Sequence, residues 1–244
     1  MKIILTSCFW DFRLESGREV AGRLIERNGL CDTVRSVWPR GARVLIISSH
    51  PDDYPECDRV CDNMLRSFTL SGLDLSSISI CDNRNPEVIE RLSEVDVLVL
   101  AGGHVPTQNA FMMRLGLRER LRDYDGVVMA LSAGSMNSAD TVYAIPELSG
   151  EATDPLYRRW ISGLGLTDIN IFPHYQYLKE ASVDGLCMSR DIAFPDSMGR
   201  EIIALNDGSY IFISDGKREV RGESYLIKNG EERLLTRDGE SAAI

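Results

Sequence analysis

No apolar run in this chain of 244 residues approaches the roughly 18 that a membrane-spanning helix requires. The first residues, Met1-Lys2-Ile3-Ile4-Leu5-Thr6, hold only three successive strongly apolar side chains before polar ones return, too few for a secretory leader. A soluble, cytoplasmic protein is the expectation. Positive charge is also scarce. Lys and Arg number 27 against 37 Asp and Glu, and the net charge of −10 disfavours a nucleic-acid surface or an anionic membrane as partner. It equally disfavours acidic substrates unless a local Arg or Lys overrides it. Repeats, low-complexity tracts and linker-like stretches are absent, so a single α/β domain over residues 1–244 is the economical reading. The six cysteines (Cys8, Cys31, Cys57, Cys61, Cys81, Cys187) lack the rhythm of a disulfide scaffold and read as reduced thiols. Cys57 and Cys61 stand four apart just after His50, but no second ligand pair follows at zinc-like spacing, and no metal is expected.

Apolar runs alternate with longer amphipathic stretches, the pattern of βαβ units and a mostly parallel central sheet flanked by helices. Strands are expected at Lys2 to Leu5, Arg43 to Ser48, Leu75 to Ile80, Val95 to Leu100 and Gly126 to Leu131. Helices are expected at Glu15 to Glu26, Tyr54 to Leu70, Pro86 to Leu92 and Thr107 to Leu121. Short strands then follow at Asp168 to Phe172, Glu201 to Leu205, Tyr210 to Ser214, Glu219 to Arg221, Ser224 to Ile227 and Arg233 to Leu235. Turn signals such as Asn206-Asp207-Gly208, Asp215-Gly216 and Asn229-Gly230 separate several of them and imply a C-terminal antiparallel hairpin extension of the same sheet. Glu147 to Pro155 is the most loop-like segment and could form an edge of a site.

The segment Val127-Val128-Met129-Ala130-Leu131-Ser132-Ala133-Gly134 runs an apolar strand straight into a serine among tiny residues. Such a strand-to-helix turn exposes a hydroxyl above the sheet, with the next N–H groups facing the reacting atom. An ordinary helix start with Ser132 as its cap gives the same letters. With three histidines in the chain, the search for a general base is short. His174 follows the apolar Ile169-Asn170-Ile171-Phe172 and a proline, at a strand end where active sites of parallel sheets collect. Asp207, after Ala204-Leu205-Asn206, is a candidate for the carboxylate that would hold the imidazole, although Asn-Asp-Gly is equally a turn sequence. Gly102 and Gly103 close another strand, where a turned backbone and the Ala133 N–H could receive an oxyanion or simply make a turn. The chain order Ser132, His174, Asp207 matches neither the α/β-hydrolases nor the chymotrypsin and subtilisin orders, so a different scaffold is indicated.

Taken together, Ala101-Gly102-Gly103, Leu131-Ser132-Ala133-Gly134, Phe172-Pro173-His174 and Leu205-Asn206-Asp207-Gly208, in this order, resemble the motifs of the peptidase E family of serine peptidases, family S51. The hairpin-rich tail through Tyr210 to Ser214 and Lys228-Asn229-Gly230-Glu231-Glu232 fits the same pattern. The resemblance implies a fold like that of class I glutamine amidotransferases, a flavodoxin-like α/β architecture. It implies Ser132 as nucleophile, His174 as base and then acid, Asp207 as orienting carboxylate, and Gly103 and Ala133 N–H groups as oxyanion donors. It implies an acyl-enzyme without cofactor, short peptides as substrates, and a monomer or homodimer. Departures stand out. Aspartate replaces the family's glutamate, Ala130 its elbow glycine, and His104 an asparagine; His104, with Gly102, is a candidate substrate contact. Members selecting N-terminal aspartate use an arginine between the histidine and acid segments, where this chain has Arg190 and Arg200. Of the two, Arg190 is the candidate substrate contact, with a local surface ion pair to the adjacent Asp191 as the alternative. A cyanophycinase-like isopeptide hydrolase, or a silent binding protein on the same scaffold, are the alternatives. A glutamine amidotransferase would carry cysteine where Ser132 stands.

Overall fold

A computed structural model describes residues 1–15 and 18–244. The chain runs through β1 (Lys2–Thr6), a hairpin of β2 (Trp10–Glu15) and β3 (Arg18–Leu24), α1 (Leu30–Val37), β4 (Ala42–Ile47), α2 (Tyr54–Leu70) and β5 (Leu75–Cys81). Next come 3₁₀ turns over Pro86–Glu94, β6 (Val97–Leu100), α3 (Val105–Arg114), α4 (Leu117–Arg120), β7 (Val127–Leu131) and α5 (Ala133–Asn137). The later elements are β8 (Thr141–Tyr143), β9 (Trp160–Ser162), β10 (Asn170–Phe172), α6 (Tyr175–Leu178), β11 (Ser182–Val183), β12 (Leu186–Cys187) and α7 (Phe194–Asp196). Six strands close the chain: β13 (Glu201–Leu205), β14 (Tyr210–Ser214), β15 (Lys217–Arg221), β16 (Ser224–Lys228), β17 (Glu231–Thr236) and β18 (Ser241–Ala243).

The main sheet has the order β18-β15-β14-β1-β7-β6-β4-β5. From β1 to β5 every neighbouring pair is parallel, and β14, β15 and β18 continue it antiparallel beyond β1. The apolar runs are continuous because both faces of these strands are covered. Side chains alternate across the pleat, so Leu5, Ile47, Leu98, Leu100 and Val128 enter one core layer with Phe111 and Met112 of α3. Ile4, Ile46, Val97, Val99 and Met129 enter the other, against Leu30 and Val34 of α1 and Met64 and Phe68 of α2. Among the described residues no helix is long and apolar enough to cross a membrane.

Three expectations are corrected. The tail does not lie wholly on the main sheet: β13, β16 and β17 form a second sheet with β10, in the order β10-β13-β16-β17. The helix expected over Thr107 to Leu121 breaks at Gly116, whose φ of +62° ends one helix and starts the next. The helix expected over Glu15 to Glu26 is instead the second arm of the β2–β3 hairpin, with Ser16 and Gly17 outside the described residues. Val20, Ala21, Leu24 and Ile25 suit a helical stripe, but contacts distant in sequence decide otherwise. Asn63 Oδ1 accepts from Ala21 N–H at 3.2 Å, Ser71 Oγ from Leu24 N–H at 2.8 Å, and Arg66 donates to the Ala21 carbonyl at 3.0 Å. Side chains of α2 and of Ser71, which caps its C-terminus, thus satisfy the free edge of β3. A Cβ on Gly22 would lie 2.7 Å from the Asp11 carbonyl, so glycine permits the close approach of the two arms.

Candidate active site

In an open α/β sheet, ligands collect outside the carboxyl ends of the strands. There, β1, β6 and β7 end around a cavity of about 410 Å³ lined by Ser7, Gly102, Gly103, Ser132, His174 and Asp207, among others. That volume falls within the roughly 300–1,000 Å³ usual for small-molecule sites. A roomier cavity, about 600 Å³, opens at the opposite strand ends beside Lys2, Val95 and Val127, but among the described residues its lining carries neither histidine nor cysteine.

Ser132 sits at φ +48° and ψ −114°, a conformation L residues disfavour, between the end of β7 and the first residue of α5. Strain of this kind costs on the order of 1–3 kcal/mol and persists only where the surroundings over-determine it. They do so here. Ser132 N–H donates to the Thr6 carbonyl at 2.9 Å, and its own carbonyl accepts from Met136 N–H at 3.1 Å. Beneath it, buried Ser135 Oγ accepts from Thr6 N–H at 2.9 Å and lies 2.7 and 2.9 Å from the Thr6 and Ala130 carbonyls. A Cβ on Gly134 would come within 2.3 Å of the Leu100 carbonyl, so the elbow can press against β6 only with glycine there. Ala130 lies within β7, paired with Leu5 and Leu100 and without a positive φ, which is why alanine serves where the resembling family has glycine.

His174 comes from the second sheet rather than from the sheet that carries Ser132, contrary to the single-sheet expectation. The β10–β13 register pairs Phe172 with Ala204, so the segments leaving both strands emerge side by side. That register brings His174 Nδ1 to 2.7 Å from Asp207 Oδ1. An ionised carboxylate only accepts, so Nδ1 carries the proton and Nε2 is left as the basic nitrogen. Asp207 is held in turn: its N–H donates to Gln176 Oε1 at 3.0 Å, and Arg27 donates to its carbonyl. Ser7, one residue past β1, joins the two sheets, donating to the Leu205 carbonyl at 3.0 Å and accepting from His174 N–H at 3.1 Å. Among the described residues the Ser132 hydroxyl has no hydrogen-bond partner, so serine and imidazole share the cavity without closing the contact between them. Such contacts are often long before substrate binds.

The glycine loop is aimed by a hydroxyl from β4's extension. Ser49 Oγ donates to the Gly102 carbonyl, and His50 Nδ1 lies 3.1 Å from Ser49 Oγ. Because the peptide is planar and trans, anchoring that carbonyl turns the Gly103 N–H the opposite way. At Gly103 φ is +153°, and a Cβ would lie 2.4 Å from Ser49 Oγ.

Other predicted contacts lie elsewhere. His104 is outside the cavity lining, its Nδ1 2.7 Å from Thr107 Oγ1 and its Nε2 2.7 Å from Glu151 Oε1. Arg190 is exposed and paired with Asp191 at 3.2 Å, and Arg200 stacks 4.2 Å over the Trp160 ring. Cys57 is buried in α2, its thiol 3.1 Å from Ser48 Oγ, and burial raises its pKa.

Sequence reasoning passes over Ser7, Ser49, Glu147 and Glu151. Only the last two had a signal, as acids in the loop expected to edge the site. Glu151 Oε2 accepts from the N–H groups of Glu147 and Leu148, both at 2.9 Å, and so shapes that edge. Burial, reinforced by the Glu151 charge, pushes the Glu147 carboxyl up to about 7, against the opposing pull of His174 and the Val105 N–H. A carboxyl raised in the folded state binds more protons there, so stability falls as pH rises from the ordinary glutamate range through 7. Glu147→Gln should therefore stabilise the protein at pH 8, by about 1–2 kcal/mol after solvent screening, and change little at pH 4. Thermal melts at both pH values check this; an equal shift at both would refute it.

Known proteins resemble this chain in family pattern and in fold. The family model for Peptidase family S51 matches residues 49–221. Among solved structures, one match is a Listeria monocytogenes EGD-e protein named as a candidate peptidase E, at 14% identity and a TM-score of 0.57, covering 96% of this chain and 98% of that one. At such identity the likeness bears on fold alone. No curated protein matches the chain.

Proposed function

This chain belongs to peptidase family S51 and is a serine-type hydrolase, and on that premise we propose that it cleaves short peptides through Ser132, His174 and Asp207. The observation that carries the reading is the 2.7 Å His174–Asp207 contact in one cavity with a serine held at φ +48°. Ser132 Oγ attacks the scissile carbonyl while His174 Nε2 takes its proton. Asp207 keeps the proton on Nδ1 and stabilises the imidazolium. The Gly103 and Ala133 N–H groups receive the oxyanion; as the first residue of α5, Ala133 has an N–H with no acceptor inside its own helix. Collapse of the intermediate expels the amine, which takes the proton from His174. Water then hydrolyses the acyl-enzyme by the same route. The test is release of free amine from a dipeptide panel by wild type and by Ser132→Ala, with serine-dependent turnover the supporting result.

Ser49 acts on this scheme as a positioning residue. Ser49→Ala frees the Gly102–Gly103 peptide, and kcat should fall roughly tenfold with KM within about twofold, since an oxyanion donor is used chiefly in the transition state. Ser49→Thr, which keeps the hydroxyl, should restore most of the rate. A loss confined to KM would argue against the role.

A further inference from the structure

One wall of the cavity at Ser132 is apolar. Trp10 and Phe12 reach it from β2, Val60 and Met64 from α2, and Leu131 from the strand that ends in the serine. Both side chains line the cavity although the β2–β3 register shifts between them. Their rings lie 6.3 Å apart, edge to face. Trp10 and Met64 are buried, whereas Phe12 is 57% exposed and Tyr177, at the rim, 70%. Large aromatic surface open to water beside a nucleophile is surface that a bound side chain would cover.

Charge in the same cavity is already matched. Among the described lining residues Arg59 is the one Arg or Lys, and Glu56 holds it through both guanidinium branches, at 2.7 Å from Nε and 2.5 Å from Nη2. Arg190 and Arg200 are engaged outside it. An aspartate side chain entering this space would surrender its hydration without a free cation to replace it. A lysine side chain would find Glu56 taken.

We propose that Trp10, Phe12, Val60, Met64 and Leu131 form the side-chain subsite, and that the enzyme prefers peptides carrying a bulky apolar or aromatic residue at the scissile bond over those carrying aspartate. The inference rests on Ser132 being the nucleophile. Strand β2 is then a specificity element.

The experiment measures kcat/KM of the full-length protein for dipeptides bearing Phe, Leu, Asp or Lys in either position. Binding of the same peptides to Ser132→Ala is followed in parallel by tryptophan fluorescence. The expected result is a preference of about tenfold or more for Phe and Leu over Asp in at least one position, since pocket discrimination of apolar groups runs roughly 10–200-fold. Phe12→Ser, at an exposed position that should spare the fold, is expected to raise KM for the Phe and Leu peptides several-fold. Val60→Lys, which sets a cation in the apolar wall, should move the preference toward Asp. Equal or tighter handling of Asp peptides, a Phe12→Ser variant with unchanged discrimination, or no binding of any apolar peptide would overturn the subsite. Retained hydrolysis by Ser132→Ala would instead refute the nucleophile, while binding to that variant still judges the subsite.

Discussion

Replacing Ser132 by alanine is expected to lower kcat for peptide hydrolysis by about 10⁴- to 10⁶-fold, a range set by removal of the nucleophile from a cooperating triad. The fold should survive. Alanine keeps the Cβ that meets the strained φ of +48°, and the Ser132 N–H and carbonyl retain their bonds to Thr6 and Met136. No described side chain loses a hydrogen bond, because the hydroxyl has none. Ser132→Gly sharpens the argument. Glycine occupies positive φ freely, so this variant should be as inactive as the alanine one yet more stable by roughly 1–3 kcal/mol. Amine release and thermal melts of the two variants check both halves. Retained turnover in either would assign the nucleophile elsewhere, and a destabilised glycine variant would show that the elbow is not strained.

The second large effect is expected at Asp207. Asp207→Asn keeps the shape of the side chain but can offer an amide N–H to His174, placing the imidazole proton on Nε2, where it faces away from the base role. A loss of about 10³–10⁴ in kcat at neutral pH follows, as for the orienting aspartate of other serine triads. Stability should change far less, because His174 keeps its backbone bond to Ser7 and Asp207 its bonds to Gln176 and Arg27. Asp207→Glu tests the length of the carboxylate. The 2.7 Å contact is set by the short side chain and the β10–β13 register, so an extra methylene should displace the ring and cost activity, yet less than the amide does. Rates and chemical denaturation of both variants, side by side, separate tautomer from packing; a glutamate variant weaker than the asparagine one would contradict the account.

The elbow was legible because its signal is local. Val127 to Leu131 is apolar throughout, and the small residues after Ser132 are required by contacts within a few ångströms, such as Gly134 on the Leu100 carbonyl. The helix Tyr54–Leu70 was equally legible: Asp53 accepts from Glu56 N–H at 3.1 Å as its cap, and Pro55 suits its first turn. The β2–β3 hairpin was not. Its apolar spacing fits a helix, and what makes it a strand is the edge satisfied by Asn63, Arg66 and Ser71, more than 40 residues away. Ser7 and Ser49 were silent for the same reason, since neither stands in a pattern and each matters through backbone groups distant in the chain.

Short-range sequence suffices for the apolar runs that become strands, the tight turn at Ser132 and the turn residues of the tail. Their pattern follows from side-chain alternation and backbone sterics over a few residues. Long-range packing sets the split of the tail into two sheets and the bridge that Ser7 makes between them. It also decides that His174 meets Asp207 across a parallel register and that Trp10 and Phe12 wall the cavity. Each of these depends on hydrogen bonds and packing between segments far apart in the chain, and no short-range pattern encodes which partner closes them.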